Sequence, residues 1–186
     1  KEVSTVLYYK ILDWAGYSQN LKVAAFERRL KKEERYNEFL EIFSNQVGGE
    51  QWKDYRNDPL IVDSLVPEIA HQMYPNLFKT AESFSTVTED WMVFTDQQVE
   101  EMLDIAREAT GKEYIIFIVD EVGQYVGSRQ NLILNLQGLS ENLKKIGDGK
   151  VWFLATAQQR LTEDDSKAAL NSQHLYKLKD RFPIQI

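Results

Sequence analysis

The sequence predicts an α/β protein with a small parallel sheet and a large helical portion, on three observations. Two short unbroken apolar runs rich in β-branched and aromatic residues, Tyr114 to Val119 and Val151 to Ala155, have the composition of strands buried on both faces of a parallel sheet. Between them, apolar residues at 132, 136, 139, 143 and 146 follow helical spacing. Strand, long helix, strand is a βαβ unit, which makes the strands parallel and the crossover right-handed. The third observation is helical spacing with stop signals over most of the first 110 residues.

The elements follow in order. Apolar residues at 3, 6, 7, 11, 12 and 14 predict a helix from Val3 to Trp14, stopped by Gly16. Leu21 to Val47 carries two apolar stripes, 23-26-30 and 36-40-43-47, around the charged stretch Arg28 to Arg35, and reads as one long helix or two stacked in line. Gly48 and Gly49 end it. Asp58 before Pro59 reads as a cap and first turn for a helix over Leu60 to Tyr74, which Pro67 should kink or split and Pro75 should close. Asn76 to Phe94 has no clean period and reads as irregular. Thr95 and Gln98 have the spacing of a capping box ahead of Val99, Met102, Leu103 and Ala106, predicting a helix from 96 to about 109 that Gly111 stops. After the first strand, Gly123 and Gly127 read as a turn, and Gly147 closes the following helix. Thr162 to Asp165 reads as a cap-rich loop, Ser166 to Arg181 as loosely helical, and Pro183 to Ile186 as the start of a third strand. Residues 1–110 thus form a mainly helical segment, and 111–186 the sheet part of the same domain.

Composition narrows the function classes. With 43% apolar residues in 186, the chain can fill a core. A formal charge of −7 repels phosphate backbones, so DNA contact is expected to be indirect or to come from other domains. There is no cysteine and there are only two histidines, His71 and His174, which argues against disulfides and thiolate or histidine-rich metal centres. No apolar run reaches the roughly 18 residues that span a bilayer, and a cytoplasmic location is expected. The chain begins at Lys1 and ends within a strand-like run, so it reads as a segment of a longer protein. His71, without a matching ligand, reads as structural. Trp52, Tyr55, Trp91 and Phe94 could stack on bases but lack clustered cations and read as core or interface residues. Arg28 to Arg35, interrupted by Glu33 and Glu34, reads as a solvated face.

The chemistry-bearing feature is Ile115-Ile-Phe-Ile-Val-Asp120-Glu121, β-formers that end in two adjacent carboxylates. Strands of parallel sheets present their carboxyl ends to the ligand crevice, so Asp120 and Glu121 should emerge there. This is the form of a Walker B motif, in which the Asp holds Mg²⁺ through water and the Glu polarises the attacking water. The competing reading is a pair of acids that only cap the next segment. The second strand ends in Thr156-Ala-Gln158, with a hydroxyl and an amide suited to sensing a γ-phosphate by hydrogen bond. Arg181, ahead of Phe-Pro-Ile-Gln-Ile186, lies where an arginine finger would project toward a neighbouring subunit, with a salt bridge to Asp180 or Glu163 as the alternative. Their order matches the ASCE branch of P-loop NTPases, which includes AAA+-like ATPases. The Walker A string Gly-x-x-x-x-Gly-Lys-[Ser/Thr] does not occur, and Gly111-Lys112 precedes a strand instead of following one. The Walker A strand and loop are expected before Lys1, with Val3 to Trp14 as the helix after them.

Ile118-Val-Asp-Glu-Val-Gly-Gln-Tyr-Val-Gly127, Leu132-Ile-Leu-Asn-Leu136, Lys150-Val-Trp-Phe-Leu-Ala-Thr-Ala-Gln-Gln159 and Leu178-Lys-Asp-Arg-Phe-Pro-Ile-Gln-Ile186 together resemble the P-loop ATPase component C of BREX phage-resistance systems. The specific motifs span about Tyr114 to Ile186; Trp14-Ala-Gly-Tyr17 and Val47-Gly-Gly49 match more loosely. The resemblance implies a large cytoplasmic bacterial protein that acts with a methyltransferase and other components to exclude phage DNA. It implies ATP and Mg²⁺ as cofactors, Asp120 as the residue that holds both nucleotide and Mg²⁺, and Glu121, Thr156, Gln158 and Arg181 as catalytic residues. It implies partners among copies of the chain or other BREX components. Without Walker A, this segment alone is expected to be inactive. The alternative is a non-hydrolysing P-loop scaffold that assembles partner proteins, and a DNA-engaging motor segment ranks below both.

Overall fold

The computed structural model describes residues 2–86, 96–126 and 129–156. By internal contacts the chain divides into two compact units, one of residues 9–93 and the other of residues 1–8 and 94–186. The described residues are mostly helical with one two-stranded parallel sheet, an α/β arrangement. Among them no helix is long and apolar enough to cross a membrane.

The first unit is helical. After α1 (Val3–Trp14), the charged stretch between the two apolar stripes does not continue as helix: α2 (Leu21–Lys32) and α3 (Tyr36–Gln46) are separate. Glu34 at φ 57° breaks the chain there, a left-handed conformation that a helix cannot carry through. The two helices are not stacked in line, because the Phe26 and Phe39 rings meet edge to face at 6.0 Å, which needs their apolar stripes to be opposed. Asn20 caps α2 by accepting from the Lys22 and Val23 N–H groups. Asp58 accepts from the Leu60 N–H at 2.9 Å, as a cap should. The helical run predicted over Leu60 to Tyr74 is divided just ahead of Pro67. A single wide π turn, Ile61–Leu65, precedes α5 (Val66–Met73), in which Pro67 falls in the first turn, where its missing N–H costs little.

Asn76 to Phe94 is not wholly irregular, since Thr80 and Ser83 form a reciprocal cap on the short α6 (Ala81–Ser85). Between α3 and the π turn lies α4 (Trp52–Tyr55). The core of this unit is aromatic: Phe26, Phe39, Phe43, Trp52 and Phe84 are buried together with Leu30, Val66 and Ile69. Trp52 sits edge-on to Phe39 and Phe43, each at 5.1 Å, so it is a core residue as expected and not a base-stacking platform. The His71 Nδ1 pairs with the Phe78 carbonyl oxygen at 2.5 Å, a structural role. Arg29 and Arg35 pair with Glu33 and Glu38 at 2.8 Å on the surface, which is the solvated face the sequence suggested.

The second unit holds the sheet. Helix α7 (Asp96–Thr110) occupies the predicted span, its Val99, Met102 and Leu103 fully buried, and Gly111 ends it at φ 64°. Thr95 lies outside the described residues. Strands β1 (Ile115–Val119) and β2 (Val151–Ala155) pair in parallel with Ile115 opposite Val151 and Val119 opposite Ala155. Helix α9 (Gln130–Gly147) connects them and buries Leu132, Leu136, Leu139 and Leu143. Between β1 and α9, the stretch read as a turn around Gly123 is a short helix, α8 (Val122–Val126), while Gly127 lies outside the described residues. At the start of α1, the Ser4 N–H donates to Asn135 Oδ1 on α9 at 3.1 Å, and Asn135 Nδ2 returns a bond to Ser4 Oγ at 2.8 Å.

One expectation fails. The strands are covered on a single face by described residues. Phe117 is buried on the side where α7 and α9 pack, whereas Ile116 and Ile118 are 57% and 69% exposed, and their partners Trp152 and Leu154 stand exposed beside them. The alternation of side chains along each strand puts these four on one face, and the stacked Tyr114 and Trp152 rings extend the patch.

Gly147 shows how tightly α9 turns into β2. It lies inside the helix, and the left-handed residues that close the turn are Asp148 and Gly149. A Cβ at position 147 would stand 2.6 Å from Val151 Cβ. Gly147→Ala should therefore lower stability by about 1–3 kcal/mol through overpacking despite alanine's better helix propensity. Urea unfolding followed by circular dichroism measures it, and an unchanged or raised midpoint would refute the assignment.

Candidate functional site

The parallel register dictates which residues meet at the carboxyl edge of the sheet. Because Val119 faces Ala155, the next residues, Asp120 and Thr156, leave the sheet side by side. The ladder runs one step further: the Thr156 N–H donates to the Val119 carbonyl at 3.0 Å, and the Val122 N–H donates to the Thr156 carbonyl at 2.9 Å. These two bonds clamp the strand-to-helix corner of β1 onto the end of β2.

Inside that corner Asp120, Glu121 and Thr156 form one hydrogen-bonded group. The Glu121 N–H donates to Thr156 Oγ1 at 2.9 Å and to Asp120 Oδ1 at 3.0 Å. The Thr156 hydroxyl donates in turn to Asp120 Oδ1. Glu121 takes a left-handed φ of 53°, uncommon for a residue with a side chain, and its carbonyl accepts from the Tyr125 N–H at 3.3 Å as α8 begins. The sharp reversal is what lets two adjacent acids occupy different positions at the strand end. Asp120 and Glu121 are both exposed, and neither Asp120 Oδ2 nor the Glu121 carboxylate accepts a hydrogen bond from a described residue. Among the described residues, one oxygen of Asp120 is thus held while the other three carboxylate oxygens of the pair accept nothing.

Chemically, the group offers hard oxygen donors at a strand end, the type that Mg²⁺ selects, and a second carboxylate placed independently of the first. Thr156, read as a sensor from its place on β2, touches both acids: its hydroxyl bonds the Asp120 carboxylate and the Glu121 backbone. Gln158 and Arg181 lie outside the described residues. The two prominent cavities, of about 420 and 410 Å³, are lined by residues of the helical unit and by none of Asp120, Glu121 or Thr156.

A second polar cluster, which the motif reading missed, lies within the helical unit. Glu27 is fully buried on α2. Its Oε2 accepts the Ser18 N–H at 2.8 Å, and its Oε1 accepts Trp52 Nε1–H at 2.6 Å and the Tyr36 hydroxyl at 3.2 Å. Burial pushes its carboxyl above the ordinary glutamate range, against the pull of these donors and of Lys31. The same surroundings raise the Tyr36 hydroxyl well above the ordinary tyrosine range, chiefly by burial and by the neighbouring Glu27 charge. The signal was in the spacing: Glu27 lies four residues after Val23, between Phe26 and Leu30 on the same buried stripe, where an acid must either find donors or destabilise the helix.

No protein-family model matches the chain, and no solved structure matches it.

Proposed function

We propose that the chain is the part of a Mg²⁺-dependent P-loop ATPase, ASCE or AAA+-like, that carries the Walker B and sensor strands, and that the full protein acts in bacterial defence against phage DNA as a BREX component. The observation that carries the reading is the Asp120–Thr156–Glu121 group at the carboxyl edge of two parallel strands. A pair of acids that only capped the next segment would spend its oxygens on backbone N–H groups. Here only Asp120 Oδ1 does so, and it also receives the Thr156 hydroxyl.

In this reading Asp120 holds Mg²⁺, Glu121 accepts a proton from water, and Thr156 fixes both by its bonds to the Asp120 carboxylate and the Glu121 N–H. Mg²⁺ and ATP supply the charge neutralisation and the phosphoryl group when bound. Arg181 would serve a neighbouring copy and Gln158 the sensor stretch, which makes assembly of copies, or of other components of the system, part of the proposal. A cytoplasmic location and indirect DNA contact belong to the same reading.

The test uses the full-length protein. ATP hydrolysis should require Mg²⁺, and Asp120→Ala should lower the Mg²⁺-dependent rate by on the order of 10²–10³. Wild-type turnover in Asp120→Ala would overturn the assignment.

A further inference from the structure

A parallel sheet is almost always covered on both faces, because its strands carry apolar side chains to either side. Here α7 and α9 cover one face, and the described residues leave the other open. Side-chain alternation fixes what the open face presents. The column of β1 runs Tyr114, Ile116, Ile118 and Asp120, and that of β2 runs Lys150, Trp152, Leu154 and Thr156. The bond from the Thr156 hydroxyl to Asp120 Oδ1 places the last pair on one side. The apolar middle, with Tyr114, leaves on the order of 600 Å² to water, the upper end for a patch on a monomer. Two such surfaces stacked together bury about 1,200 Å², the lower bound of a specific interface.

The two ends of this face carry opposite charge. At the carboxyl end stands Asp120, whose Oδ2 accepts nothing from a described residue. At the amino end stands Lys150, paired with Glu113 at 2.8 Å in an exposed contact that costs little to leave. Sheets stacked face to face keep their strands roughly aligned, so a two-fold axis between them runs either along the strands or across them. Both arrangements bury the apolar middle. An axis along the strands sets Asp120 beside the partner's Asp120. An axis across them reverses one copy: Ile116 lies over the partner's Ile118, Trp152 over the partner's Leu154, and Lys150 over the partner's Thr156, next to the partner's Asp120. Only this second arrangement matches cation to anion, and the symmetry does so at both ends.

We propose that the open sheet face is the interface of a homodimer, two copies stacked with antiparallel strands so that Lys150 of each reaches Asp120 of the other. The contact is small and each copy carries a charge of −7, so the dimer is weak and reversible at neutral pH. The proposal does not rest on the ATPase reading, although it engages the same Asp120.

Sedimentation equilibrium of the intact chain at neutral pH, over a range of concentrations, should show a reversible monomer–dimer equilibrium. Ile118→Lys changes an exposed side chain at the middle of the face, and should weaken the dimer about tenfold or more with the circular dichroism spectrum unchanged. Asp120→Lys and Lys150→Glu should each weaken it about tenfold, and together should restore it to within about threefold of wild type, since opposite charges then meet again. Where Asp120→Lys does not fold, Asp120→Asn removes the charge, keeps an acceptor for Thr156, and should weaken the dimer about threefold. A chain that stays monomeric throughout, its face then covered by its own residues or by another protein, would overturn the proposal. So would assembly beyond a dimer, a dimer indifferent to Ile118→Lys or to Asp120→Asn, or a charge exchange that folds and fails to restore association.

Discussion

Glu27→Ala is expected to destabilise the helical unit by about 3 kcal/mol, measured as a lowered urea midpoint with Trp fluorescence as the probe. The substitution strands three buried donors at once, the Ser18 N–H, the Trp52 indole N–H and the Tyr36 hydroxyl, and each unsatisfied donor costs roughly 1–3 kcal/mol. Relief from burying a carboxylate offsets part of that sum. The sign of the pH dependence follows from the same burial. The folded unit holds the Glu27 proton more tightly than the unfolded chain does. Over the window from the ordinary glutamate range up to the raised value, the folded state therefore binds more protons, and stability falls as pH rises. Above that window the loss is complete, and below it the contribution is fully present. Glu27→Gln, which cannot titrate, should lack this component of the pH profile. A profile identical in wild type and Glu27→Gln would show that Glu27 does not titrate differently on folding.

Glu121→Gln should separate nucleotide retention from turnover in the full-length protein. The carboxylate makes no hydrogen bond to a described residue, so replacing one oxygen by an amide removes the proton acceptor without disturbing the corner that Thr156 and Asp120 hold. General-base contributions are of the order of 10²–10⁴, so turnover should fall by about that factor while ATP binding stays near its original strength. Single-turnover kinetics beside equilibrium binding of ATP give both numbers. A variant that turns over normally removes Glu121 from the chemistry, and one that no longer binds ATP shows that the residue supports the site's shape.

The contrast between these two residues shows what the linear chain discloses. The placement of Asp120, Glu121 and Thr156 at one edge was legible because a parallel sheet leaves little freedom: two apolar runs joined by a helical crossover must present their following residues together. The parallel pairing, both strand spans and the helices over 3–14, 96–110 and 130–147 could be read for the same reason, local spacing sufficient to fix local structure. The left-handed Glu121 could not be read, since nothing in an Asp-Glu pair announces a positive φ; the corner is imposed by the bonds that Val122 and Thr156 make across the strands. The opposed packing of α2 and α3 also escaped, because the stripes specify which faces are apolar and not that Phe26 turns back on Phe39. Pro67 marks where the helical run divides, but the form of the division, a π turn widened just ahead of it, is not written in the spacing. Glu27 was visible as an acid in an apolar stripe, but its three donors come from the Gly16–Ser18 turn, α3 and α4, which only folding brings together.

The exposed row of Ile116, Ile118, Trp152 and Leu154 has a consequence for the chain in solution. At neutral pH the net charge of −7 keeps molecules apart. Near pH 5.0, where the charges of the sequence balance, that repulsion is gone while the apolar row remains, so association through the row should be strongest there. A titration of Glu27 has to be carried out in dilute protein for this reason.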